Sequence, residues 1–170
     1  MAESKGRILV VDDEAEIRLS LETLLSLEGY EVDSGADGAS GLAALDRKPY
    51  DLVLLDMMMP DRSGLDVLDD MRRRDREIPV LVITAYGSIE NAVAAIKRGA
   101  TDFITKPWNN QKLLLEIEHT ISQRRLEQEN IQLKRALKQR YNFSNIIGKS
   151  EAMMKVLELV GQVAQSSSTV

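Results

Sequence analysis

The chain of 170 residues contains no cysteine, which excludes a disulfide framework, a thiol nucleophile and any zinc site built on thiolates. It has a single histidine, His119, which excludes a multi-histidine metal centre. No apolar run approaches the ~20 residues of a bilayer-spanning helix, and Met1 to Arg7 is polar, with no hydrophobic signal core. These absences lead to the expectation of a cytoplasmic protein with no membrane partner. What is present is an ordinary globular composition, 44% hydrophobic, in a length that suits one domain plus a smaller piece. The net charge of -5 conceals a division: residues 1–122 carry -9, residues 123–140 carry +4, and residues 141–170 balance. That asymmetry places a boundary near residue 122.

Short apolar runs recur along the chain, too brief for helices but long enough for strands buried on both faces. Arg7-Ile8-Leu9-Val10-Val11 is the first and ends in Asp12-Asp13-Glu14; Tyr30 to Ser34, Asp51 to Leu55, Pro79 to Ile83 and Asp102 to Ile104 are the others. Between them, apolar residues at helical spacing predict helices. The first carries Ile17, Leu21, Leu24 and Leu25 and stops at Gly29; the second runs from Gly38 to about Asp46 with Leu42 and Leu45, before Pro49. The third opens at Gly64 with Leu65, Leu68 and Met71 on one face. The fourth turns Ile89, Ala92, Val93 and Ile96 inward and ends at Gly99. Strand and helix alternating in this way predict an α/β doubly wound domain, a parallel sheet covered by helices on both sides.

Ligands bind such folds outside the carboxyl ends of the strands. Asp12, Asp13, Asp56, Thr84 and Lys106 all fall there. A lone Asp56 reads equally well as a turn or cap residue. Three crowded carboxylates repel one another, however, and call for a shared cation. An all-oxygen cluster suits Mg²⁺, beside which Asp56 can act as a nucleophile toward a phosphoryl group, with Lys106 offsetting charge and Thr84 adding a hydroxyl donor.

The segments I-L-V-V-D-D-E at 8–14, L-V-L-L-D-M-M-M-P at 52–60, I-T-A-Y-G-S at 83–88 and D-F-I-T-K-P at 102–107 together resemble the receiver domain of bacterial two-component response regulators. The resemblance covers about residues 7–122. It implies a five-stranded flavodoxin-like sheet in the order 2-1-3-4-5, followed by a long linker helix. It also implies that Asp56 accepts a phosphoryl group from a sensor histidine kinase, and that Asp13 binds Mg²⁺ directly with Asp12 assisting and the Met58 backbone carbonyl completing the set. A cis Lys106-Pro107 peptide follows from the same likeness. So does a switch in which Thr84 turns toward the phosphoryl group and Phe103 moves inward behind it. A plain core position is the other reading of Phe103, and the Met57-Met58-Met59 run reads as loop packing. Trp108, two residues from Lys106, is placed to report the event by fluorescence. A phosphatase of the haloacid dehalogenase type would carry D-x-D at the nucleophile, whereas position 58 is Met. Apart from self-phosphorylation from a phosphodonor and autodephosphorylation, no enzyme activity is expected. A phosphorylation-independent interaction module, or a different output domain, is the alternative.

From Asn109 to about Arg140 the chain is helical in composition. Leu113, Leu114, Ile117 and Ile121 are expected to cover the sheet. Leu126, Asn130, Leu133 and Leu137 then follow spacings of four, three and four, a heptad seam with Asn130 at an a-type position, which predicts a homodimer through a parallel coiled coil. A single amphipathic helix lying on its own domain is the alternative. Arg124, Arg125, Lys134, Arg135, Lys138 and Arg140 are interleaved with the seam rather than preceding it, so they read as a solvated face, with no direct nucleic-acid binding. His119 reads as a helix-surface residue.

Ile146-Ile147-Gly148-Lys149-Ser150 is not a phosphate-binding loop, because Phe143 stands where that motif needs its first glycine. The segment from Phe143 instead resembles the opening of the AAA+ domain of sigma-54-dependent (NtrC-type) transcription activators: F-x-x-I-I-G-x-S-x-x-M, then a helix with Met154, Leu157, Val160 and Val163, a Ser166-Ser167-Ser168 turn, and a strand starting at Thr169-Val170. This implies a division into a receiver at 1–122, a coiled-coil linker at 123–141 and an N-terminal fragment of an AAA+ domain at 142–170. Sigma-54 RNA polymerase and DNA would then be reached only through domains beyond Val170.

Overall fold

A computed structural model describes residues 4–74, 77–85, 89–140, 154–156 and 158–160. Among the described residues up to Arg140, five strands alternate with five helices: β1 (Arg7–Val11), α1 (Ala15–Leu27), β2 (Glu31–Gly35), α2 (Gly38–Arg47), β3 (Leu52–Asp56), α3 (Gly64–Arg73), β4 (Val80–Ala85), α4 (Ile89–Lys97), β5 (Asp102–Lys106) and α5 (Asn110–Arg140). The strands form one parallel sheet in the order β2-β1-β3-β4-β5. This is the doubly wound fold that the strand–helix alternation predicts, in the flavodoxin-like strand order that the resemblance implies.

Because side chains alternate across a strand, the sheet makes two cores. Leu9, Val11, Val53, Leu55, Val80 and Val82 face α2, α3 and α4, where they meet Leu42, Leu45, Val67, Leu68, Met71 and Ala95. Ile8, Val10, Leu52, Leu54, Leu81 and Ile83 face α1 and α5 and meet Leu21, Leu25, Leu113, Ile117 and Ile121. Burial on both faces explains why the first, third and fourth strands read as unbroken apolar runs. β5, at the sheet edge, alternates between half-buried and exposed positions instead.

Two expectations shift at the helix ends and faces. β2 starts at Glu31 rather than Tyr30, because the Tyr30 N–H bonds the Leu25 carbonyl at 3.1 Å while the Gly29 N–H bonds that of Ser26 at 3.1 Å. This is the closure made when a glycine with positive φ, here +91°, ends a helix, and Gly99 at +99° ends α4 in the same way. On α4 the buried residues are Ala92 and Ala95, whereas Val93 and Ile96, expected inward, are 47% and 42% exposed. Small residues bring this helix onto the sheet, and the larger ones flank that contact line on the outside. The Ile89 side chain lies outside the described residues.

The chain separates into two compact units, Met1–Arg125 and Leu126–Val170. In the second, Leu126, Asn130, Leu133 and Leu137 are all exposed on helix. Residues 154–156 and 158–160 are helical, with Met154 and Val160 exposed. The expected positions of Leu157, Val163, the Ser166-Ser167-Ser168 turn and the Thr169-Val170 strand lie outside the described residues. No helix among the described residues is long and apolar enough to cross a membrane.

Candidate functional site

β1 and β3 are neighbours with Val11 opposite Leu55, so the next residues, Asp12 and Asp56, stand side by side at the carboxyl edge of the sheet. β4 lies against β3 with Ile83 opposite Asp56, which puts Thr84 one step beyond. β5 closes the row, with Lys106 opposite Ala85. Carboxylate oxygens of Asp12, Asp13 and Asp56 lie within 4.8 Å of one another. Asp12 and Asp56 are buried, at 0% and 2% exposure, and Asp13 is exposed. The edge therefore collects Asp12, Asp13, Asp56, Thr84 and Lys106 from four strand ends.

One ammonium serves this cluster. Lys106 Nζ lies 3.2 Å from Asp12 Oδ2, 3.3 Å from Asp56 Oδ1 and 3.2 Å from Glu14 Oε1. Burial, reinforced by the neighbouring Asp12 charge, pushes the Asp56 carboxyl up to about 6, although Lys106 pulls the other way. Burial also disfavours the charged form of Lys106, but Asp56, Asp12 and Glu14 together outweigh it and hold the ammonium above its ordinary range. The lysine stays charged, and the carboxylates around it remain incompletely neutralised. Three hard oxygen donors at this spacing fit a divalent cation such as Mg²⁺, which binds through one or two carboxylates and keeps several waters.

The loops hold this geometry from outside. The Glu14 N–H donates to Asp12 Oδ1 at 2.8 Å, and Arg18 Nη1 donates to the carbonyls of Asp12 and Asp13 at 2.7 and 2.9 Å. After β3, Met57 and Met59 are buried in the core while Met58 is 63% exposed, so the methionine run is loop packing at two of its three positions. The Gly64 N–H bonds the Met57 carbonyl at 3.1 Å. A Cβ on Gly64 would fall against the Asp56 carbonyl oxygen and 2.8 Å from Met57 Cα, so only glycine lets α3 start this close to the strand end. The Lys106-Pro107 peptide is cis, and Trp108 is half-buried against the core shared by α1 and α5.

Thr84 is 1% exposed. Phe103, by contrast, is 41% exposed, which does not fit its alternative reading as a plain core position: on the edge strand its side chain faces out, and its N–H bonds Asp102 Oδ1 at 2.8 Å. His119 is exposed on α5. The sequence assigns no role to Glu14 and Arg18, which stand one and five residues beyond Asp13. Arg124 and Arg125 need a correction. They are not merely a solvated face, because Arg124 Nη1 donates to the Tyr50 and Asp51 carbonyls, each at 3.0 Å, and Arg125 Nη2 to the Lys5 carbonyl at 2.6 Å.

Comparison with known proteins places this site in a family. Residues 8–118 match the family described as the response regulator receiver domain. The regulatory protein AtoC of Escherichia coli is 32% identical over 97% of this chain, which spans 36% of that protein's length. The crystal structure of NtrX from Brucella abortus in complex with ADP superposes with a TM-score of 0.74 at 36% identity, over 96% of this chain and 35% of that one. The separately solved receiver domain of the same NtrX is 44% identical, with a TM-score of 0.63 over 68% of this chain and 98% of that one. The chain thus spans about a third of the length of the longer relatives it matches. With its acidic strand ends, its lysine and its sheet order in place, the chain belongs to the response regulator receiver family.

Proposed function

We propose that Asp56 accepts a phosphoryl group from a sensor histidine kinase and that this event controls a sigma-54-dependent activator. The observation that carries the reading is the single ammonium of Lys106 between the buried carboxylates of Asp12 and Asp56. An Asp56 Oδ attacks the phosphorus of a phosphohistidine, and the P–N bond breaks. The imidazole nitrogen leaves with the bonding electrons, and an acyl phosphate remains on Asp56. With its carboxyl pushed up to about 6, Asp56 is mostly ionised, and so nucleophilic, at pH 7 and above. Lys106 and the Thr84 hydroxyl then bind phosphoryl oxygens. Mg²⁺, held by Asp12, Asp13, Asp56 and the Met58 carbonyl, would supply the remaining positive charge against the phosphoryl oxygens.

Phe103 moves inward as Thr84 turns, a population shift between two conformers. The output is a homodimer through the linker helix, with Leu126, Asn130, Leu133 and Leu137 at the seam. The exposure of all four supports a partner for that stripe. Residues 1–122 act as the receiver, 123–141 as the linker and 142–170 as the start of an AAA+ domain. This chain makes no direct nucleic-acid contact, and sigma-54 RNA polymerase and DNA are met by other domains. Its own chemistry is limited to phosphoryl uptake from a donor and to autodephosphorylation.

Incubation with Mg²⁺ and acetyl phosphate tests the reading by intact mass. The protein is expected to gain one phosphoryl group, and Asp56→Asn none. Uptake by neither protein, or by both equally, would leave an interaction module that works without phosphate. Sedimentation of the chain as a monomer at micromolar concentration would remove the dimer.

A further inference from the structure

An ammonium has three N–H donors, and those of Lys106 face Asp12, Asp56 and Glu14 at 3.2, 3.3 and 3.2 Å. Two of them are hydrogen-bonded, to Asp12 and Glu14, and the ammonium also ion-pairs with Asp56, so an incoming phosphoryl oxygen competes with a carboxylate already in place. The three carboxylates are unequal. The Asp12 and Asp56 side chains are 0% and 3% exposed, whereas that of Glu14 is 59% exposed. Water resolvates Glu14 readily once it lets go, so Glu14 is the partner most cheaply displaced.

The position of Glu14 is itself unusual. It is the N-cap residue of α1, yet its side chain makes no capping bond to that helix. Its carboxylate is left to reach Lys106. Its backbone N–H meanwhile bonds Asp12 Oδ1 at 2.8 Å, and its carbonyl accepts from the Arg18 N–H at 3.1 Å, which fixes the main chain behind the side chain.

We infer that Glu14 is a positioning residue, a displaceable third acceptor that tethers Lys106 in the resting site and is exchanged for a phosphoryl oxygen when Asp56 is modified. The inference rests on the reading of Asp56 as the phosphoryl acceptor. It assigns Glu14 the role of a brake: releasing it is one of the costs of phosphorylation, so its removal accelerates uptake. Exposed ion pairs of this kind set the size of the effect at about 2- to 5-fold.

Two measurements on the full chain test this. In metal-free protein, solvent hydrogen exchange at Lys106 Nζ is followed by ¹H–¹⁵N NMR. Glu14→Gln is expected to speed this exchange about 2- to 5-fold while the other lysines stay unchanged. With Mg²⁺ and acetyl phosphate, Glu14→Gln is expected to raise the rate of mass gain by a similar ~2- to 5-fold factor. Glu14→Asp keeps the charge but shortens the reach, and is expected to behave like Glu14→Gln. Glu16→Gln, an equal charge change on the exposed first turn of α1, is expected to match the wild type in both assays. Unchanged or slower uptake in Glu14→Gln, or equal acceleration in Glu16→Gln, would overturn the tether. So would wild-type behaviour of Glu14→Asp. A wild type that takes up no phosphoryl group would instead overturn the underlying reading of Asp56, and the metal-free exchange measurement still decides whether Glu14 holds Lys106.

Discussion

At the carboxyl edge of the sheet, one lysine is shared among three carboxylates, with a fourth, Asp13, beside them. At the amino edge the arginines already have their partners, and Lys5 pairs with Glu28. Arg7 pairs with Glu31 at 2.8 Å while its N–H bonds Asp51 Oδ2 at 2.8 Å, and Arg124 and Arg125 close on the carbonyls of Tyr50, Asp51 and Lys5. The same strands, β1 and β3, run between the two edges. One edge is electrostatically complete within the chain, and the other is left short of positive charge. The difference teaches where an outside cation would be taken up: of the two, the carboxyl edge is the one with crowded, incompletely neutralised carboxylates.

The sharpest way to break the comparison is to remove the charge at its centre. Asp56→Asn is expected to abolish phosphoryl uptake and yet to stabilise the fold. The Asp56 carboxyl is pushed up to about 6 in the folded protein, and a raised carboxyl destabilises its own ionised form. Against an unfolded value near ~3.9, this corresponds to roughly 3 kcal/mol at pH 7.5 in EDTA, measured by urea unfolding. The sign follows from proton binding. Between about pH 6 and pH 4 the folded state takes up a proton that the unfolded state does not, so the contribution of Asp56 to stability improves as the pH falls through that window. In Asp56→Asn that segment of the pH profile is expected to disappear.

Next in size is Gly64→Ala. The added Cβ meets the main chain of Asp56 and Met57, which cannot swing aside, so a loss toward the upper end of ~1–3 kcal/mol is expected in the same assay. At the amino edge, Arg124→Ala removes two charge-assisted bonds to half-buried carbonyls and is expected to cost about 1–2 kcal/mol, with phosphoryl uptake unaffected. The smallest change is Glu31→Gln. Its exposed pair with Arg7 is screened by water, so the urea midpoint is expected to stay where it is.

The parts of this protein that were legible in the sequence are those fixed by periodicity and by strand ends. Ile8 to Val11, Leu52 to Leu55 and Val80 to Ile83 announce a sheet buried on both faces, and each strand delivers a polar residue to one edge. Their convergence needs only the topology. Val93 and Ile96 were misread because hydrophobicity alone chose the larger side chains for the inner face of α4, whereas close packing chose Ala92 and Ala95. That Phe103 is exposed rather than a plain core residue follows from its strand lying at the sheet edge, a property of strand order rather than of local sequence. Arg124 looked like one charge among several, since its partners are backbone carbonyls some seventy residues away in the chain and carry no residue-type signature. Glu14 was visible beside Asp13, but its link to Lys106 joins positions ninety-two residues apart.

The way α4 is seated has a consequence for when parts of the domain come apart. Among the described side chains, α4 buries the single methyl groups of Ala92 and Ala95, where α5 buries Leu113, Ile117 and Ile121. At about 0.8 kcal/mol for each buried methyl or methylene, α4 is anchored by a small fraction of the burial energy that anchors α5. Local unfolding follows the weakest anchorage, so α4 is expected to open before the sheet, α1 to α3 or the packed first half of α5. The amide protons of residues 93–97 should then exchange through a sub-global opening while those of β1 and β3 wait for the whole domain to unfold.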